Sequence, residues 1–233
     1  MSEWSNTALF GIYPYICLSV LAIGSIIRFD REQYTWRSQS SQLLRRRQLI
    51  WGSNLFHVGI LVIFVGHAGG LLTPVAVFEA LGISHTTKQL MAVTIGGVAG
   101  VLCLIGLLML LHRRLTDPRI RATLTAADIA VLVLLLAQLL LGLSSIFVSL
   151  QHLDGSEMLA LMGWAQHIVT LRPGAADLVA GVSTVFKIHL VLGMTILLIV
   201  PFTRLVHIWS APIWYLGRRG YQIVRTRRIA GKA

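Results

Sequence analysis

Ile50-Trp51-Gly52-Ser53-Asn54-Leu55-Phe56-His57-Val58-Gly59-Ile60-Leu61-Val62-Ile63-Phe64-Val65-Gly66-His67-Ala68-Gly69-Gly70-Leu71-Leu72-Thr73-Pro74 decides the fold: the stretch holds no Asp, Glu, Lys or Arg, yet it carries two histidines ten positions apart. A helix crossing about 30 Å of hydrocarbon needs about 20 mostly apolar residues, because every backbone polar group must be satisfied within the segment. The stretch meets that length. Four more segments do so, near Leu9 to Ile27, Met91 to Leu111, Ala126 to Leu150 and Val182 to Ser210, the last interrupted by Pro201, which predicts a kink.

Composition points the same way. Of 233 residues, 55% are hydrophobic and 12% charged, against roughly 25% charged in soluble domains. The 20 Lys and Arg exceed the 9 Asp and Glu by 11, a balance that in a soluble protein suggests nucleic acid. Here apolar blocks separate the charges, so membrane topology explains them and no nucleic acid partner is expected. Cys17 and Cys103 both fall in apolar stretches. They are too few for a disulfide framework or cysteine-ligated iron-sulfur clusters and are expected as small buried hydrophobes.

The connecting segments alternate in basic residues, which sets orientation. Arg28, Arg31, Arg37, Arg45, Arg46 and Arg47 lie between spans one and two, and Arg113, Arg114, Arg119 and Arg121 between spans three and four. The tail after span five carries Arg218, Arg219, Arg225, Arg227, Arg228 and Lys232. The segment between spans two and three has only Lys88, and the one between spans four and five has Arg172, with Lys187 at its end. The expectation is an all-α bundle of five spans, N-terminus outside and C-terminus in the cytoplasm. It forms one domain over residues 1–233, with a basic cytoplasmic tail at 211–233. Met1 to Phe10 has Glu3 and no basic run, so no cleaved signal peptide is expected. No linker or repeat divides the chain, and about Gln151 to Gly181 must fold on the outer surface.

Eight histidines are present. His85, His152 and His167 read as solvated side chains and His112 as interfacial. His57 and His67 on span two, and His189 and His207 on span five, lie within or at the end of apolar segments, where an ionisable group is costly and is a functional hypothesis by default. The two spans run antiparallel, so His57 and His207 lie toward the cytoplasm and His67 and His189 toward the outside. Two facing histidines are what a six-coordinate haem iron needs, and two such pairs predict one haem in each leaflet. The rise from His57 to His67 is about 15 Å and from His189 to His207 about 27 Å, a mismatch that tilt and the Pro201 kink must absorb. Gly59, Gly66, Gly69 and Gly70, with Gly193 on span five, leave room for a flat macrocycle or for close helix packing. Neither the clustered histidines of membrane di-iron enzymes nor the His-Glu-x-x-His of zinc proteases occurs.

The words around these ligands resemble the gamma subunit of respiratory nitrate reductase, a membrane di-haem cytochrome b. They are Ile12-Tyr13-Pro14-Tyr15, Gln33-Tyr34-Thr35-Trp36-Arg37, Ser53-Asn54-Leu55-Phe56-His57, Phe64-Val65-Gly66-His67, Gln151-His152-Leu153-Asp154-Gly155-Ser156-Glu157-Met158, Gly163-Trp164-Ala165-Gln166, His189-Leu190-Val191-Leu192-Gly193-Met194-Thr195 and Pro201-Phe202-Thr203-Arg204-Leu205-Val206-His207-Ile208-Trp209-Ser210. They run through nearly the whole chain.

The resemblance implies that His57 and His207 hold the haem nearer the cytoplasm and His67 and His189 the outer one. It places a quinol site on Gly66, His67 and Lys88, with Lys88 hydrogen-bonding the quinol oxygen. It further implies that electrons pass from quinol at the outer face, through two b-type haems, to an iron-sulfur beta subunit and a molybdenum-containing alpha subunit that reduces nitrate to nitrite, while protons are released outside. The setting is the bacterial cytoplasmic (inner) membrane, with its lipid and quinol pool. This chain has no cluster cysteines with which to reduce nitrate itself. Its basic segments either dock the partners or only set topology. Arg204, three residues before His207, is expected at a haem propionate. Two alternatives stay open: a related cytochrome b of a sulfite-reduction or heterodisulfide-reductase-like complex, and a cofactor-free proton transporter using the four histidines.

Overall fold

The computed structural model describes residues 2–36, 44–151, 154–210 and 217; Arg37, His152 and, apart from Gly217, the basic tail lie outside them. The described elements are all helical, with no strand among them. Five helices are long and apolar enough to cross a membrane: Glu3–Arg31, Arg46–Leu72, His85–Thr116, Ala126–Gln151 and Thr184–Phe202, spans one to five below.

Two spans start earlier than the apolar runs suggest, because polar residues cap them. Ser2 accepts from the Ser5 amide at 3.2 Å, with Glu3 in the positive first turn, and so span one begins before Leu9. Ser84 accepts from the Thr87 amide at 3.2 Å and starts span three at His85. Thr86, Thr87 and Lys88, expected in a loop, therefore stand in the first turn of a helix. Span one is also irregular: a π-helical turn, Ala8–Ile12, precedes the α-helix Tyr13–Arg31.

Span five departs most from expectation. Its α-helix ends at Ile199, a 3-10 turn covers Val200–Phe202, Thr203 is extended (φ −125°, ψ 178°), and a second 3-10 helix covers Arg204–Ser210. Pro201 has no amide to continue the helix, so carbonyls near it need other donors. Arg28 supplies them, donating from Nη1 to Pro201 O at 2.6 Å and Thr203 O at 2.9 Å. One straight kinked helix to Ser210 is thereby replaced by a broken one.

Span two packs along span three, and span five lies on spans four and one. In lipid, helices associate through close packing rather than hydrophobic exclusion, which favours small residues at the seam. A Cβ on Gly59 would lie 2.6 Å from Ala99 O, and one on Gly106 2.7 Å from Gly52 O. Gly59 thus serves the seam between spans two and three. Cys17 and Cys103 are buried and unbridged, as small hydrophobes.

The bundle has two distinct ends. At one, Arg45 pairs with Asp117 (3.2 Å) and buried Arg113 donates to Leu44 O (2.7 Å). At the other, the helices Ser156–Val169 and Ala175–Leu178 cover span one, burying Phe10, Trp164, Ile168 and Val179. Among the described residues, Arg28, Arg45 and Arg113 lie at the first end and Lys88 and Arg172 at the other.

Candidate functional site

The four histidines singled out in the sequence fall into two pairs, His207 lying beyond the end of span five. The ring centres of His57 and His207 are 6.4 Å apart at the basic end, and those of His67 and His189 are 6.3 Å apart toward the other. Both pairings match the expected ones. The break after Ile199 removes the rise mismatch, because His207 rides on a separate 3-10 helix rather than on the axis of Thr184–Ile199.

The spacing fits an iron between the rings. With a metal-nitrogen bond of about 2 Å and roughly 1.2 Å from that nitrogen to the ring centre, two imidazoles holding one iron between them would stand about 6.4 Å apart. The tautomers fit as well. His57 Nδ1 lies 2.7 Å from Ser53 O, His67 Nδ1 2.8 Å from Ile63 O and His207 Nδ1 2.5 Å from Arg204 O. A carbonyl only accepts, so each Nδ1 carries the proton and each Nε2 keeps a free lone pair, the form in which histidine binds metal. His189 has a ring nitrogen 3.3 Å from the Gln138 amide and a buried Nδ1 without a partner. Among the described residues no three His, Cys, Asp or Glu side chains gather into a protein-only metal cage.

The glycines separate by role. A Cβ on Gly66, Gly69 or Gly70 would meet nothing within 4 Å, so these positions border open space beside His67. Gly193 faces Gln138 instead, at 3.0 Å. Gly142 on span four is a position that sequence reading missed: its Cβ would stand 3.1 Å from Cε1 of His189. Only the pairing of spans four and five reveals it.

Lys88 comes to the same end as His67. Its ammonium donates to Gly70 O at 2.9 Å and contacts Met162 Sδ at 2.7 Å, and it lies 3.9 Å from the centre of the Phe78 ring. Gly70 is three residues beyond His67. Gln166 caps the next carbonyls of span two, Leu71 O at 3.1 Å and Thr73 O at 3.2 Å. Lys88 thus reaches the end of the helix that carries Gly66 and His67, and its contact there is Gly70.

Arg204, expected at a propionate, forms an ion pair with Asp128. The other described histidines have polar partners: His85 lies 3.7 Å from Glu79, His112 Nδ1 3.0 Å from the Gln48 amide, and His167 Nδ1 3.1 Å from Pro173 O.

The profile of the family described as "Nitrate reductase gamma subunit" matches residues 6–227, through all five spans and both histidine pairs. The chain belongs to the nitrate reductase gamma subunit family. It is 55% identical over 228 residues to the respiratory nitrate reductase 2 gamma chain of Escherichia coli, covering 98% of this chain and 100% of that one. The respiratory nitrate reductase 1 gamma chain of the same organism is 54% identical over 97% of this chain and 99% of its own. The nitrate reductase gamma chain of Bacillus subtilis is 40% identical over 96% of this chain and 99% of its own. Two of the motif words also make contacts away from the histidines: Trp164 Nε1 donates to Phe10 O in the π-helical turn at 2.8 Å, and Glu157 accepts from the Ser183 amide at the start of span five at 2.9 Å.

Proposed function

We propose that this gamma subunit is the quinol-oxidising, di-haem cytochrome b of a respiratory nitrate reductase in the bacterial cytoplasmic membrane. Its arginine-rich end faces the cytoplasm and its N-terminus lies outside. It forms a single domain with a basic cytoplasmic tail, and it anchors an iron-sulfur beta subunit and a molybdenum-containing alpha subunit. The observation that carries this reading is the two imidazole pairs, with ring centres 6.4 and 6.3 Å apart, each of which would hold one haem iron.

His57 and His207 hold the inner haem, and His67 and His189 the outer one. When bound, the haems supply one-electron redox chemistry at both ends of the bundle. Backbone carbonyls fix the imidazoles of His57, His67 and His207 with Nε2 inward, so little reorganisation accompanies ligation. Gly66 leaves a quinol ring room beside His67. An ammonium has three donors, and Lys88 directs one to Gly70 O and one to Met162, leaving the third for a quinol oxygen. There its charge stabilises the negative oxygen formed as the proton leaves. Glu79 and His85 line the same small cavity as Lys88 and offer released protons a path to the outer surface. Moving a charge across the membrane takes about 2.3 kcal/mol per 100 mV.

A reduced-minus-oxidised spectrum of the purified complex tests the reading. Two b-type haems per gamma subunit are expected. A colourless, folded chain prepared with haem available contradicts the reading and leaves the histidine transporter.

A further inference from the structure

One cavity lies away from both histidine pairs. It measures about 540 Å³, within the roughly 300–1,000 Å³ of small-molecule sites, and sits at the end opposite the arginines. Thr7, Gly11 and Tyr15 of span one form one wall, and Leu171 to Asp177 form the other. The three span-one residues recur every four positions, so the wall descends along one helix face for about 12 Å.

Three features single it out. First, the oppositely charged residues Arg172 and Asp177 both line it, yet they make no ion pair with each other or with any described residue. Second, Leu171 holds a left-handed backbone (φ 56°) while 77% exposed. Glycine ends a helix in that conformation at less cost, so a large apolar side chain there is retained against a backbone penalty. Third, the π-helical turn Ala8–Ile12 shapes the span-one wall, and such turns concentrate at functional sites. Next to Gly11 and Tyr15 in span one, Ile12 and Ile16 are exposed apolar side chains, 55% and 50% exposed.

Opposite free charges at a membrane rim above an apolar wall fit a zwitterionic amphiphile. We propose that this cavity binds the headgroup of phosphatidylethanolamine, with Arg172 on the phosphate, Asp177 on the ammonium and the Tyr15 hydroxyl toward the glycerol esters. The acyl chains run past Leu171 and along Ile12 and Ile16. The proposal does not depend on the haem reading.

Native mass spectrometry of the intact detergent-solubilised complex, with dioleoylphosphatidylethanolamine or dioleoylphosphatidylglycerol added, tests it. The wild type should retain the ethanolamine lipid preferentially. Asp177→Asn should abolish that preference, and Arg172→Gln should weaken both lipids about fivefold, the scale of one partly exposed charge pair. Glycerophosphoethanolamine, which lacks acyl chains, should compete poorly. A photoactivatable phosphatidylethanolamine should label peptides containing Leu171 or Tyr15 in the wild type, which decides the matter even where a variant misfolds. Equal retention by wild type and both variants overturns the proposal, as does labelling elsewhere. So does full competition by the headgroup alone, or recovery of a quinol in place of lipid at these residues.

Discussion

Asp128 on span four holds Arg204 through a two-point ion pair, with Arg204 Nε donating at 2.8 Å and Nη2 closing the second contact, while both side chains are about nine-tenths buried. The carbonyl of the same Arg204 takes the Nδ1 proton of His207 at 2.5 Å. The ion pair therefore fixes the short 3-10 helix that presents the ligand.

Breaking a buried pair by removing one partner costs about 3–5 kcal/mol, because a charge is left uncompensated. Asp128→Ala is expected to lower occupancy of the His57–His207 haem, or to shift its potential, while the His67–His189 haem is retained. Asp128→Ala with Arg204→Ala should do less damage than Asp128→Ala alone. Redox titration of the two b haems checks this; equal loss of both haems in the single variant goes against it.

Gly142 stands so close to the His189 ring that an added Cβ would lie 3.1 Å from Cε1, and the ring would have to yield by a few tenths of an ångström. Gly142→Val should turn that imidazole and move the outer haem potential by about 60 mV, a tenfold change for a one-electron couple. The inner haem should stay unmoved. Electron paramagnetic resonance of the oxidised haems reads both at once, and an unchanged outer signal refutes the placement.

Gly59 and Gly66, one helix apart in role, should separate stability from substrate binding. Gly59→Ala forces span two off Ala99 and Cys103 and should cost about 1–3 kcal/mol as overpacking. Gly66→Ala meets no atom within 4 Å, so Tm should hold while KM for quinol rises. Thermal unfolding and quinol kinetics on the two variants give the comparison. The reverse pattern would place Gly66 in a packed seam.

Lys88→Ala should lower kcat/KM for quinol by about 10²- to 10³-fold, the scale of removing a donor that stabilises developing negative charge. Haem content should be unchanged, since Lys88 contacts Gly70, Met162 and Phe78 rather than a histidine. Steady-state oxidation of menadiol in the intact complex provides the measurement; wild-type kinetics would remove Lys88 from the site.

The spans and the four histidines were legible because a bilayer imposes a length and makes each imidazole within an apolar run conspicuous. Helix ends were less so: Ser2 and Ser84 extend spans one and three through single capping bonds that hydropathy does not register. The break in span five was half visible, since Pro201 announces a disturbance but not the extended Thr203 or the separate helix that follows. Asp128, Gln138, Gly142 and Glu157 were missed as supports. Each acts on a residue 26 to 76 positions away, and only the folded bundle brings them together.

Axial ligation by the two histidine pairs is tested most directly by replacing each histidine with alanine and quantifying haem per gamma subunit, with spectra of the remaining haem. The account predicts that His57→Ala and His207→Ala lose one and the same haem, and that His67→Ala and His189→Ala lose the other. Four variants that each keep two haems, or that divide into different pairs, would contradict it.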